Sequence, residues 1–209
     1  MMLPWVYGLT VCGLLAAGGV AIVIALHKQA FQRFTTFDLA TAAVLICLLH
    51  VAVIPWQIGL ARVPGVDAFV FSIPYTAMFL LGLRIVPKAG FATLLIFGQG
   101  IFGQLLGRGI NPAWWPYYLS CAVIVELFLL LVGNSLRSLP ATIAAGLLRG
   151  AVAYGYMYLV LAPFLWQQIY APWYVAMKCV MGLCGCLVGA ILAWRVGPAV
   201  EKASKLGAA

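Results

Sequence analysis

A chain of 209 residues that is 66% hydrophobic and only 8% charged is built for lipid rather than water, because a soluble domain carries charge on roughly a quarter of its residues. Twelve Lys and Arg against four Asp and Glu give a formal charge of +8, an excess that in such a chain belongs to cytoplasmic connectors and anionic lipid rather than to nucleic acid. The apolar runs are continuous rather than alternating, which argues against a transmembrane β-barrel.

The pattern predicts an all-α, polytopic membrane bundle of about seven transmembrane helices. A bilayer core is crossed by about 20 helical residues, and apolar stretches fall near 4–27, 37–58, 67–86, 89–107, 114–133, 140–163 and 172–195. The first has no basic n-region and no strong cleavage signature, so it is expected to remain as a helix rather than be removed as a signal peptide. Within it Gly13, Ala17, Ala21 and Ala25 recur at every fourth residue. That small-residue face suits close helix approach, to a partner helix or to this chain's own bundle. A polar linker, 27–36, sets this N-terminal helix and cytoplasmic linker (1–34) apart from a six-helix membrane domain (35–209). Thr36 is expected to cap the second helix, with Asp38 in its first turn, and Asp67 to cap the third. Pro87 breaks the chain at 86–90, and Pro140 suits the first turn of the sixth helix. Gly185, Gly189 and Ala193 repeat the small-residue groove in the last helix.

Lys28, Arg33, Arg84, Lys88, Arg137, Arg195, Lys202 and Lys205 fall on alternate connectors, whereas Arg62 and Arg108 occupy the opposite ones. The positive-inside tendency then gives a multi-pass protein of the cell's inner (plasma) membrane, its N-terminus outside and its C-terminus cytoplasmic. The six cysteines, at 12, 47, 121, 179, 184 and 186, lie in apolar spans and read as small hydrophobes. His27 and His50 each stand without a carboxylate or cysteine at ligand spacing, and there is no HExxH, serine-nucleophile motif or phosphate loop. The expectation is therefore no enzyme, no metal and no cofactor. Any ATP-driven step would need another chain.

Polar residues inside apolar spans carry most of the functional signal. Glu126 is roughly 16 Å from Trp115 along its helix, and Arg149 roughly 13 Å from Pro140 along the next. Those depths nearly coincide in a core of about 30 Å, so an ion pair is expected, acting as a structural staple or touching substrate. Lys178 lies about a turn and a half inside the last helix, where it can snorkel outward or meet an anionic group on a ligand. Two outer segments interleave aromatics with polar groups: Arg108, Asn111, Trp114, Trp115 and Tyr118 in one, Trp166 and Gln167 in the other. An aromatic belt accounts for part of this pattern. The polar interleaving also suits a mouth for a planar or amphipathic small molecule. Gln99 and Gln104, with Tyr154 and Tyr158 on one helix face, are expected to line the same space.

The last six spans resemble the substrate-binding S components of energy-coupling factor (ECF) transporters, importers of vitamins and metals. The resemblance rests on Thr35-Thr36-Phe37-Asp38-Leu39-Ala40 leading into a small-residue-rich helix with Ala42 and Ala43, on Pro87-Lys88-Ala89-Gly90 as a short connector, and on the glycine-rich run from Gly98 to Gly109. It covers residues 36–205; the first helix is additional to the six-helix core. The N-terminal Met-His pair of cobalt and nickel members is missing. The resemblance implies a bundle that binds a vitamin or similar micronutrient at its outer side, with thiamine-like cargo nearest in layout. It also implies partners: a transmembrane coupling protein and two cytoplasmic ATPases. Ala40 and Ala43 would face the coupling protein, and Gly13, Ala17 and Ala21 are further candidate partner contacts. The alternative is a non-catalytic structural or assembly subunit of a larger membrane complex.

Overall fold

The computed structural model describes residues 3–28, 30, 32–60, 63, 65–106, 109–133 and 136–207. Arg62 and Arg108 lie outside them. Among the described residues every regular element is helical: α1 Leu3–His27, α2 Thr36–Leu60, α3 Val66–Ile85, α4 Phe91–Leu106, α5 Trp115–Val132, α6 Leu139–Tyr156 and α7 Pro172–Gly207. A 3-10 turn at Pro112–Trp114 leads into α5, and α6 continues as a π-helical segment, Met157–Leu165. Five helical stretches are long and apolar enough to cross a membrane; Phe91–Leu106 and the apolar stretch Thr36–Ala52 are shorter.

Local chemistry explains the boundaries. α2 is opened by Thr35 rather than by the expected Thr36. The Thr35 amide donates to Asp38 Oδ2 at 2.7 Å, and the Asp38 amide donates to Thr35 Oγ1 at 3.3 Å. This is a reciprocal capping box, in which the carboxylate must sit three residues after the cap. Ser138 caps α6 by accepting from the Ala141 amide, with Pro140 in the first turn. α5 ends at Gly133, whose φ of 88° lets its amide return to the Leu129 carbonyl. The expected break at 86–90 is present, and Gly90 turns there with φ of 89°. α7 runs past the expected end near 195, because Glu201 is held by Arg84 (3.5 Å) and Arg137 (3.3 Å).

α3 and α7 form the most extensive helix pair. Gly185 and Gly189 lie directly against the α3 backbone, where an added Cβ would meet the carbonyl oxygens of Phe69 and Ile73. The small-residue groove of α7 thus packs on this chain's own bundle. α1 runs alongside α5: Ala21 and Ala25 are buried with Ala89 and Leu130, and Lys28 Nζ donates to the Leu130 carbonyl at 2.6 Å. Gly13, on the same helix, is exposed, and a Cβ added there would meet nothing within 4 Å. The α1 ladder is therefore divided, its C-terminal half spent on internal packing.

The bundle has two unlike ends. One carries Lys28, Arg33, Arg84, Lys88, Arg137 and Lys202. Around them Lys88 pairs with Asp38 at 2.5 Å and Glu201 bridges two arginines. The main core belongs to this half, built on Leu80, Leu83, Phe91, Ala122, Val125 and Ala145. The other half is hollow.

Candidate functional site

The hollow half holds a cavity of about 700 Å³, within the range of small-molecule sites. α2 to α7 all contribute to its wall. α3 presents Asp67, Phe71, Ser72 and Tyr75, which recur at helical spacing along one face. Its close approach to α7 brings Lys178 beside Asp67. These two form a direct ion pair, and Lys178 Nζ also lies 5.4 Å from the centroid of the Tyr174 ring. Lys178 is only 7% exposed, so it does not snorkel. Asp67 is drawn to Lys178 instead of capping α3, whose N-cap residue is Gly65.

α4 and α5 build the opposite wall. Gln104 accepts the Asn111 amide at 2.8 Å through Oε1 and donates through Nε2 to the Tyr118 hydroxyl at 3.4 Å. Tyr118 lies where a Cβ on Gly100 would stand, so that glycine admits the ring. Trp114 stacks on Tyr118, its centroid 6.5 Å away and its plane tilted by 20°. On α6, Tyr154 shares a 2.8 Å hydrogen bond with Ser72 and donates to the Ala68 carbonyl at 3.2 Å. Gly182 leaves the space that Tyr154 fills. Tyr158 meets Tyr170 and Tyr174 edge-on nearer the mouth.

Arg149 forms the inner limit of this space. It is 8% exposed, and its guanidinium carbon lies 4.0 Å from the Tyr75 centroid and 5.2 Å from that of Phe79. The expected Glu126–Arg149 pair does not form. Glu126 Oε1 accepts the Thr93 amide at 3.1 Å and the Thr93 hydroxyl at 3.3 Å. Equal depth did not mean a shared face: α4 starts close to Glu126, and its free N-terminal amides attract the carboxylate.

Of the residues expected at a site, Gln99, Gln104, Trp114, Tyr118, Arg149, Tyr154, Tyr158 and Lys178 line one cavity. Asn111 is exposed beside it and reaches Gln104 through its backbone. Trp166 packs on Trp114 from behind, with centroids 5.4 Å apart. Trp115 and Gln167 are exposed and do not line it, Gln167 in a left-handed turn with φ of 55°. Glu126 belongs to another part of the bundle, and Arg108 lies outside the described residues. His50, which has no carboxylate or cysteine at ligand spacing in the sequence, lines the cavity. Its Nδ1 lies 2.8 Å from the Ile46 carbonyl, which can only accept, so Nδ1 donates there. Ser72, Tyr75 and Tyr117 were also missed. The signal was present for Ser72 and Tyr75: polar groups three residues apart in an apolar span. Among the described residues, no three His, Cys, Asp or Glu side chains gather into a metal-binding group.

Ala40 and Ala43 are exposed on α2, on a surface that also shows Leu39, Val44 and Leu48. No family model and no curated protein matches this sequence. Among solved structures, a crystal structure of an S-component of an ECF transporter matches with a TM-score of 0.62 at 18% identity. The match covers 84% of this chain and 88% of that one. The chain is an all-helical membrane bundle with the fold of an ECF transporter S component.

Proposed function

We propose that this protein is the substrate-binding membrane subunit of an ECF-type importer and that its cargo is a vitamin or similar micronutrient. The observation that carries the reading is the roughly 700 Å³ cavity with its aromatic and amide wall, set in a bundle of S-component fold. A lipid-facing helix gains nothing from Gln99, Ser72 or Arg149 turned inward; a polar cargo does. The cavity lies at the end opposite the clustered cations. With those cations in the cytoplasm, the mouth opens outward, where an importer collects its load.

Ala40 and Ala43 give α2 a flat exposed strip for a coupling protein, and the transport energy comes from ATPases on other chains. Affinity purification from native membranes tests the assignment. Recovery of a transmembrane coupling subunit with two nucleotide-binding subunits supports it. Stable recovery with other membrane proteins and no ATPase contradicts it and favours a structural or assembly subunit.

A further inference from the structure

Resting on the reading of the cavity as a cargo site, we infer that the cargo carries an oxyanion, a carboxylate or a phosphate, gripped by Arg149. The whole sequence holds four acidic side chains, and each is engaged elsewhere. Asp38 holds Lys88, Asp67 holds Lys178, Glu201 bridges Arg84 and Arg137, and Glu126 accepts from Thr93. No side-chain carboxylate of this chain is left for Arg149.

Arg149 nonetheless sits 92% buried, and its Nε has no hydrogen-bond partner. A buried guanidinium without a counter-charge is costly in a membrane interior. Tyr75 and Phe79 cover it by cation–π contact, which satisfies a face of the group and none of its in-plane donors. Those donors form the fork that matches a carboxylate or phosphate in a two-point grip. Arg149 lies nine residues before Tyr158 on the continuing helix, about 13 Å deeper if the rise were that of an α-helix. The anion therefore enters first and the cargo's ring or chain lies toward Tyr118, Tyr154 and Tyr158. Asp67 and Lys178 cancel each other, so the lining carries one net positive charge from these three residues. That balance opposes a cationic cargo such as thiamine.

The test equilibrates detergent-purified wild type, Arg149→Gln and Arg149→Lys with a deproteinised metabolite extract of the expression host, and identifies what each retains by mass spectrometry. The wild type should enrich a small molecule bearing a carboxylate or phosphate, with retention lower by roughly 30-fold or more in Arg149→Gln. Arg149→Lys should retain an intermediate amount, and the neutral amide or dephosphorylated form of that molecule should not bind. Without metabolite, Arg149→Gln should melt no lower than wild type, because it removes an unpaired buried charge. A lower melting temperature in both variants would assign Arg149 to structure and overturn the inference. A neutral or cationic cargo, a phospholipid, or an anion held equally by Arg149→Gln would also overturn it. The neutral or cationic cargo would leave the cargo site standing, whereas no enrichment by any of the three proteins removes both.

Discussion

Glu126 shows how one carboxylate is used when an apolar helix contains it. It reaches two donors on Thr93 in the first turn of α4, replacing hydrogen bonds that a bilayer cannot supply. Glu126→Ala should lower stability by about 1–3 kcal/mol, the cost of an orphaned buried donor. Glu126→Gln should lose only about 0.3–1 kcal/mol, the dipole contribution. Neither should change cargo retention; thermal unfolding in detergent and retained-ligand analysis check both statements. The glycines that admit the pocket tyrosines lead to the opposite expectation. Gly100→Val or Gly182→Leu should push Tyr118 or Tyr154 off the wall. Cargo affinity should fall by about 1.5–3 kcal/mol, the worth of one large side chain's burial, measurable by titration once a cargo is in hand. The sequence made the residue types of the site legible, because amides and charges stand out in an apolar span. It did not reveal partners: Arg149 was matched to Glu126 by depth alone, and depth carries no azimuth. For the same reason Lys178 stays open in the sequence between the interface and a ligand's anionic group, since its partner Asp67 is 111 positions away.

At the scale of elements, the α3–α7 pair holds the site together. Gly189 lies against the Ile73 carbonyl and Thr76, so any larger side chain must separate the two helices. Gly189→Leu should destabilise the protein by about 1–3 kcal/mol, the usual cost of overpacking. It should also weaken the Asp67–Lys178 pair and cargo retention; melting temperature and ligand retention together report the effect. The helices were legible because seven apolar runs are separated by proline, glycine or charge. The groove of α7 was legible as a groove but not as to its occupant, since glycine spacing records closeness and not identity. The π-helical segment after α6 leaves no mark in the sequence pattern. Pro163 within it cannot donate, and the amides of Trp166 and Gln168 bond five and six residues back, to Leu161 and Ala162. Hydrophobic period does not register so local a change of winding.

Across the whole molecule, polarity is divided between a cationic, densely packed half and a hollow, aromatic half. This division was partly legible, since the alternation of Lys and Arg among connectors needs only the order of the spans. The depth of the cavity was not, because it depends on which side chains fail to meet. If the cationic end faces the cytoplasm, Gln168→Cys should react with an impermeant maleimide in intact cells and Lys202→Cys only after lysis, above the background of the native cysteines. The reverse pattern would turn the cavity toward the cytoplasm and remove the case for capture from outside. The central claim, that the hollow half holds a cargo molecule, is tested most directly by native mass spectrometry of the protein extracted from cells grown in rich medium. The spectrum should show a species heavier than the bare chain by one small polar molecule, released when the fold is denatured. A spectrum showing only the bare chain, unchanged after exposure to a broad set of micronutrients, would contradict it.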